Sequence, residues 1–221
     1  MRYGFFGDIH GEIERLEAVL NALKEKGIDE KRLICLGDIV SDTENQKTDE
    51  CIDLLIKRGA QAVVGNHDEV RYKIEKKTQV LSGRSMIYLE SLMGCRQLQL
   101  GDMIVIHDNL LPEAQNGMGR WARGSYIYTV DDAQAVLEGT MVNCFKLMIG
   151  HNHQSKVFWN DDSRSLDNGG SFRYSPEVRY IFSPGSVAGS RDSNPAPACA
   201  IYDSEQRLFE VIKVKYKDRN K

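Results

Sequence analysis

All five histidines of this chain fall in short stretches whose residue types suit a divalent metal ion. His10 closes Asp8-Ile9-His10, and His67 follows Asn66 in Gly65-Asn66-His67-Asp68. His107 comes after the apolar run Ile104-Val105-Ile106, and His151 and His153 stand in Gly150-His151-Asn152-His153. Gly37-Asp38 adds a carboxylate. Imidazole, carboxylate and amide oxygen form a donor set of borderline hardness, suited to Mn²⁺, Fe, Zn²⁺, Co²⁺ or Ni²⁺ rather than to Ca²⁺ or a thiolate site. The donors are too many for one tetrahedral ion and enough for two ions sharing a carboxylate. Two ions about 3.5–4 Å apart clamp the attacking and leaving oxygens of an in-line displacement. Two dications against Asp8, Asp38 and one hydroxide leave such a site net positive, which favours a phosphate group. Singly, each residue has a plainer use: a structural histidine, a turn or cap aspartate, a left-handed asparagine. The ordered set is what points to a metal.

Each candidate donor follows a short apolar run, which reads as a strand covered on both faces. Between the first runs lie helical stripes. Ile13, Leu16, Leu20 and Leu23 mark a helix over residues 12–26 with Gly27 as its stop. Thr48 can cap a second helix carrying Ile52, Leu55 and Ile56 and stopping at Gly59. The opening therefore reads β-α-β-α-β, which implies parallel strands with right-handed crossovers. Residues 68–93 read as helical. Residues 96–106 form a hairpin about Gly101-Asp102, and 131–138 a short helix ending at Gly139. Strands are expected at 157–159, 179–182, 198–202 and 208–214. The polar stretch 160–175 reads as a loop or hairpin tip, and 215–221 as a frayed tail. In open α/β sheets ligands gather at the carboxyl ends of strands, where every candidate donor falls.

Bulk properties narrow the function class. Lys and Arg number 29 and Asp and Glu 32, a net charge of -3 that gives no general attraction to nucleic acid or membrane. No apolar run approaches the roughly 20 residues of a spanning helix, and the first residues do not read as a signal peptide. Five scattered cysteines without a CxxC pair argue against a disulfide framework or a cysteine zinc site. A cytoplasmic protein is expected.

In chain order, Asp-x-His, Gly-Asp, Gly-Asn-His-Asp, a lone His and Gly-His-x-His resemble the motifs of the calcineurin-like metallophosphoesterase superfamily. They span residues 8–153. Ser183-Pro184-Gly185-Ser186-Val187-Ala188-Gly189 resembles the Asn-Pro-Gly-Ser-Val-Gly signature of its small bacterial and archaeal phosphodiesterase branch. The resemblance implies an α/β fold, a four-layer α/β/β/α sandwich with two mixed sheets, here as one domain over residues 1–221. It implies a first metal on Asp8, His10, Asp38 and His153, and a second on Asp38, Asn66, His107 and His151, with Asp38 bridging. His67 corresponds to the family's non-ligand histidine, which contacts the phosphate and protonates the leaving oxygen; Asn66 shares the substrate side. The implied activity is a dinuclear metal-dependent phosphoesterase, either phosphodiesterase or phosphatase. It would cleave a small phosphoester by metal-bridged hydroxide attack, with Mn²⁺ the first choice of ion. The alternative is a non-catalytic metal-binding scaffold on the same fold, against which the intact donor positions argue.

Two positions depart from the family pattern. Ser41, with Asp42 beside it, stands where some relatives carry an aspartate that orients the catalytic histidine. Asp108 and Asn109 follow His107 where many relatives have glycine. Arg191, Arg120 and Arg123 are candidates for the substrate's distal group, against the plain reading of solvated surface arginines. Trp121 and Tyr126 are candidates to stack on a ring, against packing. Specificity is expected in residues 109–128 and 160–175.

Overall fold

The computed structural model describes residues 1–41, 47–108, 126–140 and 145–216. Asp42, Arg120, Trp121, Arg123 and most of the expected specificity segment 109–128 lie outside the described residues, as does the tail from 217.

The chain opens β1 (Arg2–Phe6), α1 (Ile13–Glu25), β2 (Leu33–Cys35), α2 (Thr48–Arg58), β3 (Gln61–Ala62). β1, β2 and β3 pair in parallel, with Gly4 opposite Leu33 and Ile34 opposite Gln61. The buried run of β2 sits between two apolar layers, which is why it reads as continuous rather than alternating. α1 turns Ile13, Leu16, Val19, Leu20 and Leu23 inward. α2 ends at Gly59 with φ 64°, a left-handed cap that glycine adopts without a Cβ penalty. Thr48 is the first helical residue rather than the cap; its Oγ1 accepts from the Ser41 N–H at 3.4 Å.

The helical stretch expected over 68–93 divides into α3 (Asn66–Thr78) and α4 (Gly83–Leu92). Gln79 turns left-handed at φ 52°, and the Glu75 carboxylate accepts from the Val80 and Leu81 N–H groups freed there. Ser82 then caps α4 by accepting from Ser85 N. β4 (Gln97–Leu100) and β5 (Met103–Ile106) form the expected hairpin, and α5 (Val130–Thr140) follows. The last strands are β6 (Lys146–Ile149), β7 (Ser155–Trp159), β8 (Asp162–Ser165), β9 (Gly170–Arg173), β10 (Tyr180–Pro184), β11 (Ala198–Asp203) and β12 (Leu208–Lys213).

Residues 160–175 are therefore not a loop alone. β8 pairs with β7 as a hairpin, and β9 pairs with β12 at the edge of the other sheet. Both are edge strands, so their outward residues stay polar and hide the strand pattern; of β9 only Phe172 is buried.

Two six-stranded mixed sheets result, in the orders β3-β2-β1-β11-β12-β9 and β4-β5-β6-β10-β7-β8. α1 to α4 pack on the outer face of the first sheet over a core that includes Phe6, Leu16, Ile52 and Leu89. Phe5, Leu36, Val105, Phe182 and Phe209 fill the space between the sheets. α5 covers the second sheet through Ala133, Val136 and Leu137. This is the four-layer α/β/β/α sandwich. No described helix is long and apolar enough to cross a membrane.

Candidate metal centre

The seven expected donors converge at the carboxyl ends of the parallel strands of both sheets. Asp8 and His10 follow β1, Asp38 follows β2, and Asn66 with His67 opens α3 just beyond β3. His107 follows β5, and His151 and His153 follow β6. Three groups of possible ligand atoms lie within 4.8 Å of one another: Asp8, His10 and His153; His10, Asp38 and His67; Asp38, His107 and His151.

His10 Nε2 is 3.3 Å from His153 Nε2, which is itself 3.3 Å from Asp8 Oδ1. Asp38 Oδ2 lies 3.9 Å from His10 Nε2 and 3.2 Å from His107 Nε2, between the two halves of the cluster. Asn66 Oδ1 is 3.0 Å from His107 Nε2. His67 Nε2 is 3.9 Å from Asp38 Oδ2, and its ring meets that of His10 edge-on at 4.8 Å. Among the described residues, Asp38 and His10 therefore stand beside the His67 ring. The His67 side chain is 29% exposed against 2% for His107, so it stands at the mouth while the others line the floor.

Backbone strain is concentrated here. Asp8, His10, Asp38, His151 and His153 all have φ between 48° and 60°. Such left-handed conformations are uncommon for residues with a side chain and cost of order 1–3 kcal/mol each. The surroundings hold them: Asp8 N donates to Gly37 O at 2.9 Å, while Ile9 N and His10 N both donate to Asp38 O. His151 N donates to Asp8 Oδ1 and His67 N to Asp38 Oδ1, at 3.0 and 2.9 Å. A Cβ on Gly65 would collide with the Asp38 carboxylate and backbone, which explains glycine at the start of Gly-Asn-His-Asp.

Charge is tuned in the same direction. Burial works to raise the Asp8 carboxyl, but the attraction and hydrogen bond of His153 outweigh it and hold it below the ordinary carboxylate range. Burial likewise opposes ionisation of Asp38, and His107, with His10 and His67, holds it well below that range. Burial favours neutral His107, yet Asp38 pushes it up to about 10. Burial lowers His10. Ionised carboxylates are the ligating form a divalent cation needs, while His107, held protonated by Asp38, would give up its proton as a cation bound.

The residues fit a metal on a further observation. Asp8 Oδ2 is buried and has no hydrogen-bond partner among the described residues. A buried carboxylate oxygen without a partner is costly, and a cation satisfies it. His107 is already oriented for ligation, because its Nδ1 hydrogen-bonds the Leu36 carbonyl at 2.6 Å and leaves Nε2 facing Asp38.

Several further residues support the candidate donors from behind. Asp68 is fully buried and accepts from the N–H groups of Asp38, Ile39, Val40 and Gly65 at 2.8–3.1 Å. Burial and the neighbouring Asp38 push its carboxyl up to about 6 in spite of those bonds. Its position three residues after Gly65, at the third residue of α3, is the one hint a sequence offers. The loop after β10 docks on the Asp8 turn. Ser186 Oγ donates to Asp8 O, as does Ala188 N, and Val187 N donates to Gly7 O, all at 3.0 Å. Arg191 N donates to His153 O at 2.6 Å. Its exposed side chain lies with Cζ 4.8 Å from the Tyr126 centroid and donates to Tyr128 OH at 3.3 Å.

The chain matches the model of the calcineurin-like phosphoesterase superfamily domain over residues 1–207. A Methanocaldococcus jannaschii protein named only as uncharacterised is 27% identical over 228 residues, spanning 95% of this chain and 85% of the relative. The crystal structure of a metallophosphoesterase from Sphaerobacter thermophilus superposes with a TM-score of 0.77 at 26% identity, covering 98% of this chain and 90% of that one. A hypothetical protein from Pyrococcus horikoshii shares the fold with a TM-score of 0.64 at 15% identity, over 99% and 90% of the two chains.

Proposed function

The chain belongs to the calcineurin-like phosphoesterase superfamily, and from that premise we propose that it hydrolyses a small phosphoester with two divalent metal ions. The observation that carries the reading is the position of Asp38 Oδ2 between two donor groups drawn from both sheets. Asp8, His10, Asp38 and His153 would hold one ion, and Asp38, Asn66, His107 and His151 the other. When bound, the pair would neutralise the phosphoryl oxygens and activate a water for in-line displacement. Mn²⁺ is the first choice for this mixed donor set.

The protein's own groups do the rest. The left-handed turns aim the donors inward, and the backbone bonds around them keep that aim without reorganisation during turnover. His67, the more exposed imidazole at the mouth, delivers a proton to the leaving oxygen. Asn66 and Arg191 flank the substrate, with Arg191 supplying positive charge at the rim. The net charge of -3 supports a small substrate rather than a polymeric nucleic acid, which needs a basic track.

One geometric fact favours a different role for His67: it shares a ligand-capable group with His10 and Asp38. Metal counting separates the roles. Asp38→Ala should lose bound metal. His67→Ala should keep two ions and lose about 10²–10⁴ in kcat, the usual size of general acid catalysis. Equal metal loss in the two variants would make His67 a ligand instead. Hydrolysis of a phosphodiester and a phosphomonoester with Mn²⁺ tests the activity itself; turnover that survives full chelation, or none with either substrate, would refute it.

A further inference from the structure

We infer that Tyr126 is a positioning residue that fixes the plane of the His151 imidazole, and that Asn152 seats it there. The inference rests on the proposal that His151 holds a metal ion.

The Tyr126 ring lies flat on the His151 ring, 4.3 Å between centroids and 9° between planes. Tyr126 immediately precedes Ile127, whose N–H donates to Asn152 Oδ1 at 3.0 Å and whose carbonyl accepts from Asn152 Nδ2 at 2.9 Å. Asn152 is buried and is the middle residue of Gly-His-x-His, between His151 and His153. The segment that carries the ring is thus joined by two hydrogen bonds to the turn that carries the imidazole. Neither can shift without the other.

The far side of the stack is closed as well. Tyr128 stacks on Tyr126 at 5.1 Å and 19°, and Arg191 lies over Tyr126 while donating to Tyr128 OH. Arg191 in turn ties to the same turn through its N–H on the His153 carbonyl. The stack therefore begins and ends on the 151–153 turn.

An imidazole ligand needs its ring orientation fixed, because rotation about χ2 swings the lone pair off the ion. For His107 a hydrogen bond to Leu36 O does this. For His151, whose own backbone sits at φ 60°, a flat aromatic face restricts ring rotation over its whole width. A phenylalanine would keep the flat face on His151 and lose only the hydroxyl's contact with Arg191; a leucine would lose the face itself.

The test is Mn²⁺ titration by calorimetry on chelator-stripped full-length protein, with the melting temperature of each stripped variant recorded. Wild type and Tyr126→Phe should each take two ions. Tyr126→Leu should keep one site and bind the other roughly tenfold to a hundredfold more weakly, the usual loss on removing a ligand-orienting partner. Asn152→Ser, which acts only through the Ile127 backbone, should weaken the same site and serves if the leucine variant does not fold. Stripped Asn152→Ser should melt a few degrees below wild type, because the buried Ile127 N–H and carbonyl lose their partner; the weakening of one site and not the other is what carries the test. Unchanged affinity at both sites in Tyr126→Leu or Asn152→Ser, or equal weakening at both sites, would overturn the inference while leaving the proposed function standing. A wild type that takes no ion would overturn both.

Discussion

At the scale of single residues, the two oxygens of Asp68 accept four backbone N–H groups, three from the Asp38 turn and one from Gly65, the residue just before α3. The turn bearing the bridging candidate is thereby tied to the helix bearing Asn66 and His67. Asp68→Asn removes a charge that Asp38 repels, which alone would stabilise the metal-free protein. It also turns one oxygen into an NH₂ donor facing N–H donors. The second effect should win, because a buried unsatisfied donor costs about 1–3 kcal/mol and here donors oppose donors. Denaturant unfolding of the stripped protein should show that loss, with weaker Mn²⁺ binding beside it; an Asn variant as stable as wild type would contradict this role. The motif residues themselves were legible as types because few side chains ligate metals. Asp68 was visible as the last residue of Gly-Asn-His-Asp, but its role was not, because its partners are backbone groups that leave no mark in the sequence.

At the scale of elements, the glycines that flank the donors are set by close approach rather than by freedom of φ alone. Gly65 has no room for a methyl group beside Asp38, whereas Gly94 has nothing within 4 Å of the place a Cβ would occupy. Gly65→Ala should therefore lose about 1–3 kcal/mol by overpacking. Gly94→Ala should be neutral or stabilise by about 0.4–1 kcal/mol through the unfolded chain. A matched pair of melting curves decides it, and equal effects would reject the steric account. The parallel opening was readable because β1, β2 and their helices keep strong apolar periodicity. β8 and β9 were not, because edge strands carry polar outward residues, as in Asp162–Ser165. The break between α3 and α4 was hidden too, since it depends on Gln79 turning left-handed under cover of the Glu75 carboxylate.

At the scale of the whole molecule, the candidate centre joins the two sheets. Asp8, His10, Asp38 and Asn66 come from the first, and His107, His151 and His153 from the second. Ions bound across that seam should stabilise the assembled sandwich. At a hundredfold excess over Kd the gain is about 2.7 kcal/mol per site, and a chain of this size gains roughly 2–4 °C per kcal/mol. With both sites filled, Mn²⁺ should raise the melting temperature by about 10–20 °C, reversed by chelator; no shift would argue against a site that spans the seam.

The sequence by itself determined the candidate donor types, their order and their places after apolar runs. A ligand must be chemically competent, and a buried strand must be apolar, so both leave local marks. It determined the parallel opening for the same reason. Only the tertiary structure decided that residues as distant as Asp8 and His153 stand 3.3 Å apart, and that five donors sit in left-handed turns. It alone placed Asp68, Asn152 and Tyr126 behind the donors. Those roles rest on backbone hydrogen bonds and ring contacts across the seam between two sheets, and such contacts exist only once the chain has closed on itself.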